Sequence, residues 1–104
     1  MEKFNVYLSI YAENDFRDII RYISSQLSSP LTAVKMTEII EKAISGLSYM
    51  PQSHPLVSDE RLSILGYRKV NVKNYTVFFS IDEKEKTVHV ERILFSRRDW
   101  LRIL

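Results

Sequence analysis

Arg68, Lys69, Lys73, Arg92, Arg97 and Arg98 are the side chains of this sequence best placed to do chemistry. The stretch from Arg61 to Lys73 carries four cations and no acid, and that from Arg92 to Arg102 carries four arginines and one aspartate. An arginine fork can clamp a phosphate through two parallel hydrogen bonds and stabilise charge developing on it. Tyr67 and Tyr75 stand among these cations and could stack on an unstacked base. The alternative is a solvated strand surface whose charges pair with Glu83, Glu85, Glu91 and Asp99, and the residues by themselves favour it, because exposed pairs of that kind are common and weak. Tyr75, Phe78 and Phe79 also read more readily as core than as a binding platform.

Other chemistries find little support. There is no cysteine, which removes disulfides, thiolate metal sites and cysteine nucleophiles. His54 and His89 have no ligand spacing around them, so no metal is expected, and His89 reads as an ordinary polar strand residue. Two glycines in the whole chain leave no glycine-rich phosphate loop. No serine sits in a nucleophile elbow, and no carboxylates pair for glycoside hydrolysis. No cofactor is implied.

These side chains need a scaffold, and the length of 104 residues suits one domain over 1–104 with a single core. Hydrophobic residues make up 45% and charged ones 27%, with a net charge of +2, the balance of a folded protein whose basic surplus is local. The apolar runs are too short to cross a bilayer, and "MEKFNVYLSI" lacks a signal peptide's pattern, so a cytoplasmic location is expected.

"FNVYLS" alternates as a half-buried strand, and Ser9 can cap the helix after it. Ala12, Phe16, Ile19, Ile20, Ile23 and Leu27 form one apolar stripe, leaving Glu13, Asp15, Asp18 and Arg21 outside it. Ser29 and Pro30 start a second helix running to about Leu47, so the two form a helical hairpin. A loop with two prolines and room for a turn of helix follows. Then the period becomes two. "YRKVNV", "YTVFFSI" and "TVHVERILF" read as strands joined by tight turns, the last apolar on both sides like a central strand. "SRRDWLRIL" reads as a short helix capped by Ser96, with Trp100, Leu101 and Leu104 turned inward. The expected class is α+β, in the order β-α-α-β-β-β. The helical hairpin packs on one face of an antiparallel-rich sheet and leaves the other open. Arg68 and Arg92 are expected to converge on that open face.

"GYRKVNVKNYTVFFSID", followed by "TVHVERILFSRRDW", resembles the RelE/ParE superfamily of bacterial type II toxins, and its ParE-like, plasmid-stabilisation branch most. Gly66, Tyr67, Arg68 and Lys69 match that branch's second strand. Tyr75, Phe78 and Phe79 match its third, and Arg92, Ile93, Leu94, Arg98 and Asp99 its end. "AENDFRDIIRYI" is similar to its first helix. Phe95 stands where many relatives carry histidine, and Thr76 where the ribosome-dependent nucleases carry arginine. The resemblance implies a growth-inhibiting toxin neutralised by a cognate antitoxin in a hetero-oligomer. Its target would be DNA gyrase, as for ParE-like members, or messenger RNA on the ribosome, as for RelE-like endoribonucleases. In the second case Arg68 and Arg92 would be catalytic, with His54 a remote candidate base. Lys69, Lys73, Tyr75, Arg97 and Arg98 would contact the target or the antitoxin, and Trp100 would pack against the helices. The alternative from a different class is an inactive module that keeps the toxin fold for binding or regulation.

Overall fold

The computed structural model describes residues 3–26 and 29–104. Leu27, expected in the first helical stripe, lies outside them. The elements run β1 (Asn5–Leu8), α1 (Ile10–Gln26), α2 (Pro30–Gly46), a 3-10 turn (Pro51–Ser53), α3 (Glu60–Ile64), β2 (Arg68–Val72), β3 (Tyr75–Asp82), β4 (Thr87–Phe95) and α4 (Trp100–Ile103). The strands form one mixed sheet in the order β1-β4-β3-β2. β1 pairs with β4 in parallel, and the other pairs are antiparallel. β4 is therefore central, as its two-sided apolar pattern predicts.

The helical hairpin covers one face. Phe4 on one side of the chain entry, Ile19 and Ile23 of α1, Ile40 and Ile44 of α2, and Val77, Phe79, Val88, Val90 and Ile93 of the sheet share one buried cluster. The Ser9 hydroxyl accepts from the Ala12 N–H at 3.0 Å, capping α1 as expected. Pro30 opens α2, but the Ser29 hydroxyl bonds Thr32 rather than a free backbone N–H.

The second face is not fully open. α3 and α4 fold onto it and build a smaller cluster of Val57, Leu62, Phe78 and Leu94, joined by Tyr67, Trp100, Ile103 and Leu104. Trp100 lies 5.2 Å from Phe78, ring to ring, so it packs on the sheet and not on the helical hairpin. Leu101 stays exposed where an inward position was expected. Asp99, not Ser96, occupies the cap position of α4, because Ser96 is tied back to the sheet. Asp59 caps α3 by accepting from Leu62 N–H. Gly66, at φ +85°, then ends α3. Its N–H donates to Ser63 O and the Tyr67 N–H to Leu62 O, a glycine-closed helix end that aims the chain into β2.

The register between β3 and β4 slips once. Phe78 pairs with Arg92 and Phe79 with Val90, leaving Glu91 as an extra residue on β4. β1 has ended by this point, and α1 supplies the missing partners along that edge. Ser9 N–H donates to Val90 O, and the Ser9 hydroxyl to Glu91 O at 2.8 Å. The Asp15 carboxylate accepts from Ile93 N–H at 3.0 Å, and from Arg92 Nε and Nη2 at 2.7 and 2.9 Å. Asp15 is thus no solvent-side acid. It falls three residues after Ala12 and four before Ile19, on the packed side of the helix.

Replacing Asp15 by Ala should strand the Arg92 guanidinium and the Ile93 N–H together. The expected loss in urea unfolding is about 2–4 kcal/mol. Adding Arg92→Met should recover a good part of it, since an unpaired charge is then no longer held in the fold. A single-variant loss below about 0.5 kcal/mol, the usual range of surface changes, would contradict the clamp.

Candidate functional site

The structure separates the two arginines expected to converge. Arg68 pairs in register with Phe79 and stands with Val70 and Val72 on the helix-covered face. Its guanidinium donates to the carbonyls of His54 at 2.7 Å and Gln52 at 3.2 Å, so it fastens the 3-10 turn to β2. Arg92 pairs with Phe78, on the other face, and is held by Asp15. Hydrogen bonds to Asp15 push the Arg92 pKa above its ordinary value against the effect of burial, and the Asp15 charge adds to the rise. A shared arginine site on the open face is not formed. His54 sets its ring edge-on to Phe79 at 5.8 Å, away from Arg92.

The remaining candidates do gather, with one exception. Lys73 sits at φ +56° in the turn between β2 and β3. Asn74 in that turn accepts from the Ser96 N–H at 2.8 Å. The Thr76 hydroxyl bonds Asn71 Oδ1 at 3.0 Å and lies 2.9 Å from the Ser96 hydroxyl, which fastens the two strand ends. Thr76 is buried in this network, so the position suits a short hydroxyl side chain in place of an arginine. Tyr75 pairs with Phe95, their rings 5.9 Å apart. Lys73, Tyr75, Arg97 and Arg98 therefore share one end of the sheet. Lys69 lies further along β2, opposite Phe78, on the other face from Tyr75.

A cleft of about 300 Å³ opens at this end, between α1 and β4. Ile19, Tyr22, Tyr75, Ile93, Phe95 and Arg98 line it, with Asp15 and Asp18 at its side. Burial, and secondarily the neighbouring Tyr22, raises the pKa of Tyr75. Tyr22 belongs to the site although nothing in the strand motifs points to it. Its spacing of three residues after Ile19 was the available signal. None of Lys73, Arg97 and Arg98 makes an ion pair among the described residues. The pairing expected with Glu83, Glu85, Glu91 and Asp99 does not occur. Glu83 accepts from Gln52, Glu91 acts electrostatically on Tyr67, and Asp99 pairs with Arg102.

No group of three or more potential metal ligands occurs among the described residues. No helix there is long and apolar enough to cross a membrane.

The strand–hairpin–three-strand order defines a small α+β domain with an open mixed sheet, basic at one end. The family described as "ParE toxin of type II toxin-antitoxin system, parDE" matches residues 6–100, and the chain belongs to that family. Among solved structures it is similar to the chromosomal ParDE toxin–antitoxin system of P. aeruginosa. That match has 17% identity and a TM-score of 0.73, and covers 89% of this chain and 96% of the other. It is also similar to the RelBE2 toxin–antitoxin complex of Mycobacterium tuberculosis, at 18% identity and a TM-score of 0.60, over 89% of this chain and 98% of the other. No curated protein sequence matches it.

On the second face, burial raises the Tyr67 pKa. The Glu91 charge and a hydrogen bond to Glu91 raise it further, against an opposing effect of Arg61. The fold therefore favours the neutral phenol. The stability this contributes is complete below the ordinary tyrosine value of about 10 and is lost as pH rises through the higher folded value. Tyr67→Phe should remove a late component from an alkaline tyrosinate titration. It should also flatten the fall in stability above about pH 10. An unchanged alkaline fall would rule out the Tyr67–Glu91 contribution.

Proposed function

We propose that the chain is the toxin of a type II toxin–antitoxin pair, that it acts on DNA gyrase, and that a cognate antitoxin neutralises it. The family match over residues 6–100 carries this reading. The arrangement of the arginines supports gyrase over messenger RNA as the target. A nuclease working through Arg68 and Arg92 would need both guanidinium groups free to grip the phosphate being cleaved. Arg92 is committed to Asp15, and Arg68 to two loop carbonyls. They also lie on opposite faces of the sheet.

Induced expression in a bacterial host should arrest growth. The purified chain, with gyrase and supercoiled plasmid, should then accumulate broken DNA. A defined message on programmed ribosomes should stay intact. Ribosomal cleavage of the message would replace gyrase with messenger RNA as the target. Normal growth with soluble protein present would leave only the inactive toxin-fold module.

A further inference from the structure

We propose that the outer edge of β1 is a self-association surface, to which a second copy of this chain adds its own β1 antiparallel. Two four-stranded sheets then become one continuous sheet about a two-fold axis at Tyr7. The proposal goes beyond the toxin reading and holds whatever the target is.

β1 is an edge strand with nothing to blunt it. The Asn5 and Ser9 N–H groups point inward and donate to the Lys86 and Val90 carbonyls. By alternation Val6 and Leu8 turn their N–H and C=O groups outward, where no partner meets them among the described residues. Its sequence, "NVYL", has no charge and no proline, the usual devices that keep edges apart. The opposite edge, β2, has such protection. Arg68 and Lys69 lie on it, and the segment before α3 covers its start, with Lys69 N–H donating to Pro55 O and Val57 N–H to Tyr67 O.

Large exposed apolar side chains gather around the same edge. Tyr7 is 59% exposed, Ile10 and Tyr11 follow it, and Tyr49 and Met50 flank the start of the strand. On the helix-covered face Leu8 joins Phe16, Ile20 and Thr37 in a groove of about 620 Å³. The rim of that groove carries Glu13 and Arg17, neither of them ion-paired among the described residues. A rim of both signs is complementary to its own copy, whereas the cationic end at Arg97 and Arg98 would repel its copy.

The fold leaves one register that uses all the outward groups. Ser48 O accepts from the Phe4 N–H and fills the edge there, and α1 begins at Ile10. Only Val6 to Leu8 remain. Val6 therefore exchanges hydrogen bonds with Leu8 of the partner subunit. The two Tyr7 residues face each other as a non-hydrogen-bonded pair, with Cα atoms about 4.5 Å apart. Aromatic pairs directly opposite one another stabilise a sheet.

The chain has no cysteine, so one introduced thiol reports only its own surroundings. On mild oxidation of the native chain, Tyr7→Cys should give a disulfide-linked dimer as the main species, because the paired Cα atoms lie within disulfide reach. Asn5→Cys, off the axis, should stay monomeric. Sedimentation equilibrium of the unaltered chain between about 5 and 200 μM should show the mass rising from one chain towards two, as so small an interface implies. Tyr7→Lys sets like charges opposite one another and should weaken the dimer about tenfold, while the exposed position leaves the melting temperature of the dilute monomer unchanged. A chain that stays monomeric at about 200 μM, or equal cross-linking from positions 5 and 7, would overturn the proposal. An unchanged dimer constant in Tyr7→Lys would overturn it in favour of association through another face.

Discussion

The Asp15 carboxylate accepts three hydrogen bonds at once, two from Arg92 and one from the main chain of Ile93. β1 is only four residues long, and past Leu8 the central strand β4 has no strand on its outer edge. Unpaired main-chain groups in a packed edge are costly. Ser9 and Asp15 satisfy them from the first turns of α1, so the helix lies against the edge that the strand leaves. This fixes the angle at which α1 crosses the sheet, and with it the placement of Ile19 and Ile23 in the core. It also brings Tyr22, one turn further along, to the rim of the cleft.

The same clamp decides which arginines are available. In "ERILFSRRDW" the arginines look alike, yet they part at the end of β4. Arg92 lies within the strand and is neutralised there. Arg97 and Arg98 follow the strand, where Ser96 has turned back onto Asn74 and Thr76. They project from a closed, hydroxyl-fastened end with nothing to neutralise them. Trp100 then returns the chain to the sheet against Phe78 and holds the intervening turn in place. A strand end braced on both sides presents free cations at little further ordering cost, which favours tight binding of a charged partner.

Much of the scaffold was legible in the sequence, because period two and the steps of three and four residues are direct consequences of which face is buried. The central position of β4 followed from apolar residues on both its sides. The convergence of Arg68 and Arg92 did not survive, because strand register decides the face and a single-residue bulge at Glu91 is invisible in a motif. Asp15 was misread as solvent-facing for a related reason. An acid at core spacing has no apolar signature, and its partner lies 77 residues away. Trp100 was rightly given a packing role but assigned to the wrong layer, since a short terminal helix carries no period long enough to say which face of a sheet it covers.

Polar residues brace β4 in its middle and at its C-terminal end, by different means. At Glu91 and Ile93 an ionised pair and a helix cap replace a strand. At Ser96 a chain of neutral hydroxyl and amide groups, Asn71, Thr76 and Ser96, replaces further pairing. An arginine at position 76 would lose the hydroxyl's bonds to Asn71 and Ser96 and bring a charge to a buried site without a carboxylate to meet it. The hydroxyl at Thr76 therefore belongs with the unpaired Arg97 and Arg98. It closes the end of the sheet compactly, and the cationic groups are carried outward, where a partner can reach them.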